Sequence, residues 1–300
     1  MTKPNVGIAE KKKLQSLIKN GVEELREEEK EWLKEKLEDG LKTLEDNGRK
    51  KLNTTDKDCR FIQTKGGKDF YYNAQGIVDA KEQIILGAQA TNEETDNHLL
   101  TKMIEAGKSN SGKAVEETLG DAGYFSGEEI LKAEEAGYSV LVNEPPNLSK
   151  KGKGFRKEDF EYDTTRDCYI CAANNELKFM SKHKRRNYSV ATYRCTAYKT
   201  CTLREKCSTN KSGRRIERYE FEEALERQRA RREEKDNKEL LKKRSQIVEP
   251  VFGWIKHNDN FHRWLYRGIE SVDAQWQLLC SSVNLRKLYE VWVKNKLVWN

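Results

Sequence analysis

The stretch AVEETLGDAGYFSGEEILKAEEAGYSVLVNEPP, residues 114–146, constrains this chain more than any other. It reads as a short strand ending at Asp121, a glycine-rich turn, a helix opening at Ser126 with Glu129 as its capping-box partner, and another strand at 138–143. Strand, acid, helix, strand is an α/β layout, and it delivers the acid to a strand end. With 36% charged and 36% hydrophobic residues among 300, the chain is polar yet able to bury a core.

The flanking segments extend this pattern. Leu14, Leu17, Ile18, Val22 and Leu25, then Leu33, Leu37, Leu41 and Leu44, keep three-to-four spacing, so residues 10–47 predict one or two amphipathic helices ending near Asn47 and Gly48. FYYNAQGIVDAKEQIILGAQAT predicts a hairpin of strands at 69–78 and 83–90, with Asp79 as a turn residue. TDNHLLTKMIEAG predicts a helix over 95–107 closed by Gly107. ELKFM and YSVATYRC read as strand pieces inside a polar, cysteine-bearing insertion. A long charged helix runs from about 220 towards Glu249, and residues 272–294 read as a core helix. Four regions follow: 1–52, an amphipathic helical segment; 53–143, the first part of an α/β core; 144–220, the insertion; and 221–300, a helical part.

Net charge is +7, and the basic excess is clustered in KHKRR (182–186), Arg214 and Arg215, RQRARR (227–232) and KKR (242–244). Aromatic residues interleave with the first run, which points to a nucleic-acid backbone and an affinity that falls with salt. The competing reading for RQRARR is a helix face balanced by nearby Glu. No window approaches the roughly 18 apolar residues of a membrane helix, and no apolar signal core follows the first charges, so a soluble intracellular protein is expected.

Two acids could carry chemistry. Asp121 lies between Gly120 and Gly123, which leaves it either a turn residue or an accessible ligand at a strand end. Glu249 and Lys256, in VEPVFGWIK, are two helical turns apart with Gly253 between them. On a continuous helix they would share an open face, the carboxylate for Mg²⁺ and the lysine for a phosphate. The alternative is a Glu near a helix start, with Pro250 in the first turn and a solvated Lys. His257, His262 and Trp264 read as packing or DNA-contact residues, and Cys280 as buried. Five of the seven cysteines (Cys168, Cys171, Cys195, Cys201 and Cys207) fall in one segment. The CxxC pair Cys168 and Cys171, with Cys201 and Cys207, is a candidate tetrahedral Zn²⁺ set; reduced, partly buried thiols are the alternative.

TTDKDCRF, YYNAQGIVD, ATNEETD, GDAGYFS, CTLREKC, KKRSQIVEPVFGWIK and WLYRGIESVDAQWQLLCSSVNLRKLY occur in that order. Together they resemble the carboxy-terminal two-thirds of a bacterial insertion-sequence transposase of the DDE type, similar to the IS1182 group of the IS4-like and IS5-like set. The resemblance covers about residues 53–290. It implies a ribonuclease-H-like core in which two strand-borne acids and one helix-borne Glu bind two Mg²⁺ or Mn²⁺ ions for DNA strand cleavage and joining. The second acid maps to Asp121 and the helical one to Glu249, with Lys256 and Arg244 as basic companions and Lys184, Arg185 and Arg186 as further DNA contacts. The first Asp would lie upstream of Met1, so the resemblance implies a truncated or split transposase, inactive alone. It also implies DNA partners (element ends and target), a homo-oligomer assembled on DNA, and a bacterial cytoplasmic, nucleoid-associated location. A nucleic-acid-binding protein without catalysis is one rival. A metal-dependent nuclease using Asp79, Asp121 and Glu249 is the other.

Overall fold

A computed structural model describes residues 9–10, 27–46, 48–64, 67–145, 155–185, 188–208 and 210–295. Helices and strands are mixed, as expected. The chain divides into two compact units, one from the described residues up to Thr118 together with those from Leu240 onward, the other Leu119–Glu239.

In the first unit, α1 (Glu27–Asp46) buries Leu33, Leu37 and Leu44 on one side, the outcome of their helical spacing. The expected helical stretch before it lies outside the described residues. β1 (Ala9–Glu10) pairs with β2 (Lys51–Leu52), and β3 (Arg60–Thr64) with β4 (Gly67–Tyr71), both antiparallel. Phe70, expected at the start of the main hairpin, therefore belongs to another one.

The main hairpin is β5 (Asn73–Val78) against β6 (Ile85–Thr91), with a bulge at Ile77/Val78. Strand periodicity gives it two faces. Tyr72, Ala74 and Val78, with Ile85, Ala88 and Ala90, meet an aromatic core made by α6 (Lys235–His257, from Leu240 on) and α7 (Ile269–Asn295): Val251, Phe252, Ile255, Val272, Trp276, Cys280 and Val283. Phe252 and Trp276 stack with centroids 5.9 Å apart, and a Cβ on Gly76 would stand 2.9 Å from the Phe252 ring, so that strand position accepts only glycine without movement. Ile77 on the other face packs against Gly107 of α2 (Leu100–Ser111). That contact corrects the expected helix end. Gly107 is buried inside the helix, and the left-handed residue that closes it is Gly112, at φ +63°.

α7 also closes the free edge of β6. Asn284 accepts from the Ile85 amide and donates to its carbonyl (2.8 Å each), and Asp273 accepts from the Ala90 amide at 2.6 Å. The core reading of residues 272–294 needs correcting: Val272, Trp276, Cys280 and Val283 form the buried stripe, whereas Leu278, Leu285, Leu288 and Trp292 are exposed.

In the second unit, β7 (Thr118–Gly120, from Leu119 on) leads into Asp121, followed by a 3₁₀ turn at Ala122–Tyr124, α3 (Gly127–Glu135) and β8 (Val140–Val142), which pairs with β7. The strand–acid–helix–strand order is as expected, but the capping box does not form. Ser126 makes no side-chain cap, and Glu129 is buried and bonded to Lys132. β9 (Glu161–Asp163), β10 (Cys168–Ile170), β11 (Glu176–Arg185), β12 (Tyr188–Cys195) and β13 (Arg215–Tyr219) form an antiparallel sheet in the order β13-β12-β11-β10-β9. One face buries Phe160, Tyr169, Leu177, Tyr193, Cys195 and Ile216. The long charged helix is two helices, α5 (Glu222–Glu233) and α6, separated where Glu234 takes an extended ψ of 138°.

Candidate functional site

Glu249 lies well inside α6, not near its start, because that helix begins at Lys235. Pro250 is consequently an interior proline, with no N–H to offer the carbonyl four residues back. That carbonyl is Gln246 O, and it is not orphaned: Gln83 Nε2, from the β5–β6 turn, donates to it at 3.0 Å. Lys287 Nζ in turn donates to Gln83 Oε1 and Glu82 O, at 3.3 Å each. Gln83 holds φ +55° at this turn. The sequence reading missed this clamp, and the signal available to it was a proline within an otherwise helical pattern.

Glu249 is exposed and carries no ion pair among the described residues. Two turns on, Lys256 is exposed too, and a Cβ on Gly253 between them would meet nothing within 4 Å. The open helix face expected from the sequence is therefore present. Arg244, on the same helix, is half-buried, and its Nε has no hydrogen-bond partner among the described residues.

Asp121 caps the 3₁₀ turn, its Oδ1 accepting from the Gly123 amide at 2.8 Å. The turn role is real and occupies one oxygen; among the described residues Oδ2 makes no hydrogen bond. Gly120 does not expose the acid as its sequence position suggested. It is buried, and a Cβ there would lie 3.2 Å from Val142, so the glycine serves strand packing. Asp79 is a turn residue, as expected: Oδ2 accepts from the Lys81 and Glu82 amides at 3.1 and 2.7 Å. Asp121 belongs to one unit and Glu249 to the other. Among the described residues, no three His, Cys, Asp or Glu side chains form a ready metal-holding group.

The basic runs have different fates. Lys184 and Arg185 stand exposed on the outer half of β11, where Arg185 makes a two-pronged pair with Glu217 (3.0 and 3.2 Å). Arg186 lies outside the described residues. The RQRARR arginines are spent on the fold. Arg227 pairs with Glu134, Arg229 with Glu222 and Glu144, and Arg232 with Glu144, while Arg231 donates to Val140 O. For that run the ion-paired reading replaces the DNA-contact one.

The cysteine segment reorganises the expected set. Side chains alternate along a strand, so the CxxC pair Cys168 and Cys171 is split between opposite sheet faces. Cys168 is buried beside Asp163, Arg166, Asp167 and Glu176. Cys171 shares the face of Tyr169 and Cys195. Cys171, Cys195, Cys201 and Cys207 together line a cavity of about 30 Å³, with Tyr198, Arg204 and Arg214. Burial raises the thiol pKa of Cys195 and of Cys207, and the neighbouring thiols add to it. His257 and His262 are exposed, Trp264 packs on Phe261 and Tyr72, and Cys280 is buried, its thiol pushed up to about 12.

No curated protein and no solved structure matches the chain. Its family signal covers Glu249, Lys256 and four of the clustered cysteines but stops short of Asp121 and Cys168. Residues 170–289 match the family model described as a transposase DDE domain, so over that stretch the chain is similar to the DDE transposases.

Proposed function

We propose that this chain acts in metal-dependent DNA strand cleavage and transfer during transposition of an insertion sequence of the IS1182 group, with Asp121 and Glu249 as two carboxylates of a ribonuclease-H-like two-metal centre. The observation that carries the reading is Glu249: an unpaired, exposed glutamate on a helix clamped at its proline, within the stretch that matches the transposase family. A surface glutamate needs no such anchoring. Residues fit for hard divalent cations are those with uncommitted carboxylate oxygens, and Asp121 Oδ2 and both oxygens of Glu249, which have no partner among the described residues, qualify. When bound, two Mg²⁺ or Mn²⁺ ions would polarise the attacking and leaving oxygens of the phosphodiester. The chain's own part is to hold those carboxylates, while Lys256, Arg244, Lys184 and Arg185 bind the DNA backbone by charge. Element ends and target DNA are the partners, engaged by a homo-oligomer at the nucleoid.

Asp79 is the weaker candidate for a further acid, because two backbone amides hold its carboxylate in the turn against the one on Asp121. Iron-directed protein cleavage tests the shared site without requiring activity. Fe²⁺ in place of Mg²⁺, with ascorbate and peroxide, is expected to cut the backbone near both 121 and 249, and D121A or E249A to remove both cuts together. Cuts at one acid only, or cuts that survive both replacements, would refute a shared centre.

A further inference from the structure

We propose that Cys171, Cys195, Cys201 and Cys207 form a tetrathiolate site for one Zn²⁺, with Cys195 taking the place that the CxxC spacing assigns to Cys168. All four line one small cavity, contributed by three separate pieces of chain: the β10–β11 turn, the end of β12, and the 201–207 segment that carries the short helix α4 (Arg204–Cys207). The cavity is of single-ion size, at about 30 Å³. Among the described residues these thiols do not already form a metal-holding group, so binding requires their side chains to rotate to the roughly 2.3 Å of a Zn–S bond.

Three features of the surroundings suit a thiolate cluster. The Ala197 amide hydrogen-bonds the Cys195 sulfur two residues back, and Asn175 Nδ2 lies 3.7 Å from Cys201 Sγ, both donors that stabilise thiolate. Four thiolates around Zn²⁺ carry two net negative charges, and two guanidinium groups, Arg204 and Arg214, line the same cavity. Arg214 Nε is buried without a hydrogen-bond partner among the described residues. Gly213 is required where it is. Its φ is +87°, and a Cβ would fall 2.9 Å from the Tyr198 ring that closes the cavity.

Cys168 cannot join this set, because it projects from the other sheet face. Binding exchanges four S–H protons for four Zn–S bonds, with no redox change.

The test uses the full-length chain without a histidine tag, dialysed against metal-free buffer after growth in zinc-containing medium. Elemental analysis is expected to find about one zinc per chain. Co²⁺ replacement should give thiolate charge-transfer bands and the visible bands of a tetrahedral ion, a signature that merely buried thiols do not produce. C195S should weaken zinc retention more than about tenfold, whereas C168S and D121A should leave it unchanged. Zinc-free protein that also fails to show the tetrahedral Co²⁺ spectrum overturns the site. Loss of zinc in C168S to the same degree as in C195S overturns the ligand set. Should C195S fail to fold, the wild-type Co²⁺ spectrum and the C168S zinc content still decide. D121A retaining zinc keeps the outcome separate from that of the proposed DNA-cleaving centre.

Discussion

The two units solve one structural problem alike and another in opposite ways. Each contains a short strand with an open edge, and each closes it with a carboxamide from a helix. In the first, Asn284 of α7 brackets Ile85; in the second, the fully buried Gln228 of α5 donates to Val140 O at 2.8 Å and accepts from the Val142 amide at 3.3 Å. Such a side chain supplies both partners a missing strand would have offered. Their interiors differ. The first unit packs aromatic rings around Trp276, whose indole donates to Gln75 O at 2.7 Å. The second buries charge. Arg218 is held by Glu226 at 2.6 Å with its guanidinium 3.8 Å from the Tyr162 ring centroid, and Glu222 by Lys157 (2.7 Å) and Arg229 (3.1 Å). Clustered basic residues in a sequence thus need not be a binding surface, because here many of them are internal counter-ions.

The contrast can be broken from either side. Trp276→Ala should be the costliest single change, about 4 kcal/mol for an emptied aromatic site. Urea unfolding followed by hydrogen exchange should show that loss in the first unit. Protection at the β11–β12 pairing that equals the loss in α7 would show the units are not energetically distinct.

Next in size, Glu222→Gln leaves Lys157 and Arg229 without their shared carboxylate, and removing one member of a buried ion pair costs roughly 3 kcal/mol. Acid should mimic it selectively. Burial alone would raise the Glu222 carboxyl, but Lys157 and then Arg229 outweigh it and hold it below the usual range. Hydrogen bonds from Tyr162 and Tyr193 hold Asp167 low as well. A carboxylate with a lowered folded pKa stabilises fully above its unfolded value, near pH 4, and loses that stabilisation as pH falls through the folded value. Melts followed between pH 7 and pH 3 should therefore lose the second unit first, and E222Q should flatten part of that dependence. An unchanged pH profile in E222Q would remove the ionic account of this core.

The smallest effect sharpens the first unit's clamp. Gln83→Ala should cost about 1 kcal/mol, one hydrogen bond to a freed helix carbonyl. In a Pro250→Ala background the backbone amide satisfies Gln246 O itself, so the Gln83→Ala cost should fall towards zero. A cost equal in both backgrounds would mean that Gln83 serves some purpose other than answering the proline.

What could be read before any coordinates was whatever depends on near neighbours in the chain. Leucine spacing marked α1, alternation marked β5, β6, β11 and β12, and a glycine-flanked Asp121 followed a strand, because helix and strand periods and turn chemistry act over a few residues. The same locality fixed the exposed face shared by Glu249 and Lys256. Folding decided everything that depends on partners far along the chain. Position 83 answers a proline at 250, position 284 finishes a strand at 85, arginines at 227–232 neutralise acids at 134, 144 and 222, and sheet pleating sends Cys168 away from the cavity that Cys195 joins. Buried polar atoms must find partners wherever the fold places them, and no run of neighbouring letters records where that will be.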